Sequence, residues 1–112
     1  FCKKSPTSIN LNDYISFTHP TMNARVIKKL VGLPGDSIEL KGQRLFINGE
    51  YRGDLLEKSP RTNKKLIPQK AKSVPEGYLF VLGSHEESFD SRYEEFRLIE
   101  QSTVDEVLWP IF

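Results

Sequence analysis

The chain holds a single cysteine, Cys2, which excludes an intrachain disulfide and any multi-thiolate metal site. Its two histidines, His19 and His85, stand too far apart in sequence to suggest zinc. Neither a metal nor a cofactor is expected. No apolar run approaches the roughly 20 residues that cross a bilayer, and nothing resembles a signal peptide, so the chain as given is expected to be soluble, with any anchor absent from it. An excess of one charge is missing as well. Sixteen Lys and Arg face 15 Asp and Glu for a net +1, which gives no field of the kind that gathers nucleic acid, and no nucleic-acid partner is expected. Internal repeats and helical periodicity are also lacking.

What remains is a chain of 112 residues, 38% hydrophobic and 28% charged, the balance of one globular domain over residues 1–112. Strand signals dominate it. Tyr14 to Phe17 alternates and is closed by His19-Pro20, and Arg25 to Val31 is rich in Val, Ile and Leu. Gly32-Leu33-Pro34-Gly35 reads as a turn. Ser37 to Leu40 and Arg44 to Ile47 follow as strands, and Asn48-Gly49 after them is a strong hairpin signal. Residues 54–73 shift to Lys, Pro, Asn and Gln, and are expected to form an irregular, poorly anchored insertion. Tyr78 to Leu82 is the most apolar run and a core strand. Arg97 to Glu100 and Val104 to Trp109 supply closing strands. The expected fold is mainly β, a small barrel or a pair of packed antiparallel sheets.

Two blocks of sequence add a resemblance. The first is Ile27-Lys28-Lys29-Leu30-Val31-Gly32-Leu33-Pro34-Gly35-Asp36 with the downstream Gly42, Leu45 and Ile47-Asn48-Gly49; the second is Val74-Pro75-Glu76-Gly77-Tyr78-Leu79-Phe80-Val81-Leu82-Gly83, then Ser88-Phe89-Asp90-Ser91-Arg92 and a terminal Trp109-Pro110. In this order, over roughly residues 12 to 110, they resemble the bacterial type I signal peptidase family. Asn12-Asp13-Tyr14-Ile15-Ser16-Phe17 is similar to that family's Gly-Asp-x-Val-x-Phe strand, with asparagine in the glycine position, and with Ser84-His85-Glu86-Glu87 it looks closest to the conjugative-transfer (TraF-like) branch.

The resemblance implies a serine endopeptidase with a Ser/Lys dyad. Its substrates would be exported or conjugation-related pre-proteins, whose leader peptides bind as an extended strand along a sheet edge. It would work at the extracytoplasmic (periplasmic) face of the bacterial inner membrane, held to the membrane surface by an N-terminal helix absent from this chain. Lys28 takes the general-base position, and the chemistry gives that a reason: lysine accepts a proton only when neutral, and burial disfavours its charge. In an extended strand Lys28 shares a face with Val26 and Leu30, and Lys29 points the other way. By motif position Ser88 orients Lys28, Asp90 and Arg92 form a salt bridge that braces the loop, and Lys29 meets the same aspartate. The nucleophile is Ser8 or a serine upstream of Phe1, with Ser5 or a loss of catalysis as the remaining options. A self-cleaving domain of the LexA type shares the Ser/Lys logic, but this chain has no evident Ala-Gly cleavage segment. The non-enzymatic alternative is a degenerate homologue that binds a pilin or pre-protein as an assembly factor.

Overall fold

The structure, a computed structural model, describes residues 2–4, 9–85 and 88–109. Among them nine strands occur: β1 (Cys2–Lys4), β2 (Tyr14–His19), β3 (Ala24–Gly32), β4 (Ile38–Lys41), β5 (Arg44–Ile47), β6 (Glu50–Asp54), β7 (Tyr78–Leu82), β8 (Ile99–Glu100) and β9 (Val104–Trp109). One 3-10 turn, Gln101–Thr103, precedes β9. Six strands form a sheet in the order β1-β9-β2-β3-β7-β8, and three form a second sheet, β4-β5-β6. Every strand pairing is antiparallel, so the mainly β, packed-sheet architecture expected from the sequence is what the chain adopts.

The unbroken apolar run of β7 has a direct structural cause. Leu79 and Val81 enter one core with Ile15, Phe17, Leu30 and Phe96, while Phe80 and Leu82 enter a second with Ile38, Leu45, Ile47 and Tyr93. A strand covered on both faces cannot alternate with polar residues. β3 behaves the same way at its C-terminal end, where Leu30 joins the first core and Val31 the second. Each such fully buried side chain contributes about 1.5–3 kcal/mol of transfer free energy. The first half of β3 is different: Ala24, Arg25 and Ile27 are exposed.

Turn chemistry sets the register of the smaller sheet. Asn48 and Gly49 have φ of 53° and 81°, the paired left-handed geometry of a type I′ turn, and β5 folds back on β6 with Ile47 opposite Glu50. Asn12, in the family's glycine position, has φ of 72°, a conformation asparagine tolerates better than most residues with a side chain. β8 starts at Ile99, two residues later than the sequence pattern suggests, because Arg97 takes φ of 74° and cannot lie in a strand.

Residues 54–73 correct one expectation. The segment is irregular but not poorly anchored. It folds on itself through Leu66 N–H to Glu57 O (2.8 Å) and Ser59 N–H to Lys64 O (2.9 Å). It is tied to the rest of the domain by Gln69 N–H to Arg92 O (2.8 Å), Glu94 N–H to Ile67 O (2.9 Å) and Ile38 N–H to Lys72 O (2.9 Å). Leu55 is buried, and Leu66 and Ala71 pack on the second core. Backbone groups make most of these attachments, which is why a polar composition gave no sign of them.

Candidate active site

Lys28 lies on β3 opposite Ile15 of β2. On the other side of β3, Lys29 is paired with Leu82 and Leu30 with Val81. Continuing that register by one residue sets Gly83 beside Lys28, just past the end of β7. The approach is close: a Cβ at Gly83 would stand 3.1 Å from Lys28 Nζ, 2.4 Å from Ser88 Oγ and 2.3 Å from Ser88 Cβ. Only a residue without a side chain fits there, and Lys28 and Ser88 face each other across the space it leaves.

The lysine is half-buried. Its ammonium nitrogen sits 5.8 Å from the centroid of the fully buried Phe96 ring, and among the described residues it has neither a hydrogen bond nor an ion pair. Burial pushes its pKa below the ordinary lysine value, the nearby Asp90 carboxylate opposes that shift, and the Arg92 guanidinium adds to it. Among the described residues Asp90 is the carboxylate whose charge Lys28 feels, and it is already engaged by Arg92.

Asp90 and Arg92 are buried and joined in a two-pronged pair, Nε to Oδ1 and Nη2 to Oδ2, both at 2.8 Å. Asp90 Oδ2 also accepts from Gly83 N–H at 2.9 Å, which fixes the loop beside Lys28. Arg92 donates further to Ser88 O at 3.0 Å and to Asp54 O at 2.7 Å. One guanidinium therefore joins two segments, the loop after β7 that carries Ser88 and Asp90, and the end of β6.

Ser88 faces Lys28, but no hydrogen bond joins them. Its hydroxyl instead accepts from His85 N–H at 3.2 Å, closing the turn in which Ser88 N–H donates to His85 O. Lys29 does not meet Asp90: alternation along β3 sends it to the opposite face from Lys28, and among the described residues it forms no ion pair with that carboxylate. It is Lys28 that feels the charge of Asp90. Ser8 and Ser5 lie outside the described residues; Ile9, the next residue described, packs against the first core, the one that contains Leu30 and Phe96.

Other residues shape the site in roles that the sequence reading did not assign. Ser91 is fully buried and locks the loop to β7, its hydroxyl accepting from Val81 N–H (3.2 Å) and donating to Arg97 O (3.0 Å). Phe89 stacks on Tyr93 (6.0 Å between centroids) and meets Phe96 edge-on (5.4 Å), joining the Ser88 loop to both cores. His19 is fully buried. Its Nδ1 accepts from Thr21 and Met22 N–H, which leaves Nε2 to donate to Phe96 O at 2.6 Å, so the β2–β3 turn and the ring over Lys28 share one support. Among the described residues no cluster of three or more His, Cys, Asp or Glu side chains is placed to hold a metal ion.

The arrangement is a partly desolvated lysine at an open position, with a braced loop serine across from it. That is what proton abstraction from a hydroxyl requires. Comparison with known proteins gives the family. The family model described as signal peptidase, peptidase S26, matches residues 2–108. A signal peptidase I from Bacillus caldolyticus is 34% identical over 111 residues, which cover 88% of this chain and 60% of the relative. Signal peptidase I P of Bacillus subtilis subsp. natto is 36% identical over 90 residues, 71% of this chain and 47% of the relative. A crystal structure of a signal peptidase I from Enterococcus faecalis superposes with a TM-score of 0.65 at 32% identity, over 91% of this chain and 97% of that one. The chain thus spans about half the length of the curated relatives it matches.

Proposed function

The chain belongs to the signal peptidase family, peptidase S26, and from that membership we propose that it is the catalytic part of a serine endopeptidase that removes leader peptides from exported or conjugation-related pre-proteins. The observation that carries the proposal is Lys28: half-buried, its pKa lowered by desolvation, unpaired among the described residues, and facing Ser88 across Gly83. In this reading a serine Oγ attacks the scissile carbonyl while neutral Lys28 Nζ takes the hydroxyl proton. The Oγ–C bond forms and the carbonyl oxygen receives the electron pair. Collapse breaks the C–N bond, the Lys28 ammonium protonates the leaving amine, and water repeats the cycle to free the leader peptide. Ser88 orients Lys28, its contact tightening when substrate closes the site, as catalytic contacts commonly do. Asp90 and Arg92 brace the loop.

The leader peptide would bind as an added strand. β7 stops opposite Lys29, so among the described residues the backbone of 24–28 is paired on the β2 side only, and the open side ends at the base. Among the described residues no helix is long and apolar enough to cross a membrane. Placement at the extracytoplasmic face of the inner membrane, through an N-terminal anchor outside this chain, is part of the same proposal. The nucleophile is Ser8 or a serine upstream of Phe1.

One assay tests the whole reading. The 112-residue chain, its Ser8→Ala variant, an N-terminally extended form and that form with Lys28→Met are compared on a single leader peptide. The extended form is expected to cleave and its Lys28→Met variant to be inactive but folded. Cleavage by the short chain that vanishes in Ser8→Ala identifies Ser8 as the nucleophile. Peptide binding without cleavage in every form sinks the enzyme reading and leaves the assembly-factor alternative.

A further inference from the structure

Beside the candidate site lies a cleft of about 570 Å³ whose wall includes Ser88 and Phe89 on one side and the 57–66 hairpin on the other. Its charged lining is lopsided: Arg61, Lys64 and Lys65 against Glu95. Among the described residues none of those three cations has an ion-pair partner. Lys65 carries a further like-charge contact, because Lys58, which lines the neighbouring cavity with Glu57, is bridged directly opposite it. Cross-strand neighbours share a face, and like charges placed so destabilise the pair. A carboxylate entering the cleft would relieve that repulsion. The hairpin is nonetheless built to stay where it is, closed by Leu66 N–H to Glu57 O and Asn63 N–H to Ser59 O, both at 2.8 Å.

Resting on the peptidase reading above, we infer that this cleft is a substrate subsite for an acidic side chain, Asp or Glu, carried by the peptide close to its scissile bond. Ser88 places the cleft next to the reacting centre, and its concave, cation-lined wall suits a side chain of an extended peptide better than a flat surface. Lys64 and Lys65 are then specificity-determining residues. Both are exposed, so the preference they supply is moderate and sensitive to salt.

The experiment uses the full-length protein and a series of leader peptides with Asp, Ala or Lys at each of two positions on either side of the cleavage point. At one position the Asp peptide is expected to exceed the Ala peptide in kcat/KM by about five- to tenfold, with the Lys peptide below both. Lys64→Ala/Lys65→Ala should bring the Asp-to-Ala ratio to about one, and so should high salt. A ratio near one in the unaltered protein at every position, or a ratio that survives the double substitution, overturns the subsite. Failure of the peptidase reading looks different: no cleavage, or cleavage indifferent to Lys28→Met. In that event the same peptides are titrated against the protein by fluorescence anisotropy, where tighter binding of Asp peptides, lost in the double variant, upholds the subsite and equal binding refutes it. Loss of binding to phosphatidylglycerol vesicles in the double variant, with peptide ratios of one throughout, would mean that the basic wall meets an anionic membrane and that the subsite inference is wrong.

Discussion

A lysine that works as a base near neutral pH has to be shielded from water without being handed a full-time anion, and the residues around Lys28 meet both conditions. Phe96 and the strand backbone remove solvent; Asp90 is near but bound to Arg92. Because the folded-state pKa is lowered, the native state binds fewer protons than the unfolded state between the folded and the ordinary lysine values, so the cost of a charged Lys28 is fully present below the folded value and is relieved as pH rises through it. Lys28→Met should therefore be more stable than the unaltered chain at neutral pH, and the gap in urea midpoint should narrow as pH is raised. A gap that widens with pH would mean that the lysine is held charged by a partner. In the full-length protein kcat/KM should climb with pH along the same titration. Gly83→Ala tests the closeness of the site: a methyl group at 2.3 Å from Ser88 Cβ must displace the loop or the lysine, and cleavage should fall at least about tenfold with the domain still folded. Unchanged cleavage would separate Ser88 from the chemistry.

Among the elements, the loop after β7 is braced by the buried Asp90–Arg92 ion pair. Arg92→Met leaves the fully buried Asp90 charge without its partner and strips donors from Asp54 O and Ser88 O, a loss of about 3–5 kcal/mol by chemical denaturation. Stability within about 1 kcal/mol of the parent would show that water replaces the guanidinium beside Asp90 at small cost. The 54–73 segment is expected to resist trypsin at Lys70 and Lys72, whose neighbours are tied by backbone hydrogen bonds, and to be cut first at the exposed hairpin tip around Arg61. Early cutting at Lys70 would mean that those ties open readily.

These same elements explain what could be read from the sequence and what could not. β7 and β9 were legible residue for residue, and β2 and β3 nearly so, because burial on one or two faces leaves a pattern of apolar positions. β6, Glu-Tyr-Arg-Gly-Asp, has no such pattern and exists because the Asn48-Gly49 turn delivers it to β5. β1 is equally silent, defined only by pairing with β9. At the site, Lys28 could be placed by alternation and resemblance together. The roles of Gly83 and Ser91 arise from close approach through space, which one sequence does not encode locally. Motif position sets Lys29 against Asp90, but the pleat of β3 sends it to the other face.

For the molecule as a whole, the main fact is that two hydrophobic clusters lie on opposite faces of the same two strands. Val81 and Phe80 are neighbours in sequence yet belong to different clusters, as are Leu30 and Val31. Gly32 marks how tightly this shared wall is built: a Cβ there would sit 2.8 Å from Phe80 Cβ and 3.3 Å from Val74 Cγ2, so Gly32→Ala should cost about 1–3 kcal/mol in thermal or urea unfolding. A variant as stable as the parent would show that β3 and β7 can move apart. A party wall of this kind also decides how the protein comes undone. Neither half can melt while the other keeps its packing, since the strand that would be released is still gripped from behind. The domain should therefore behave as one cooperative unit, with the amides of Leu30 and Val81 exchanging their hydrogens only when everything opens at once, and the residues of the candidate base and its loop inheriting that rigidity from both sides.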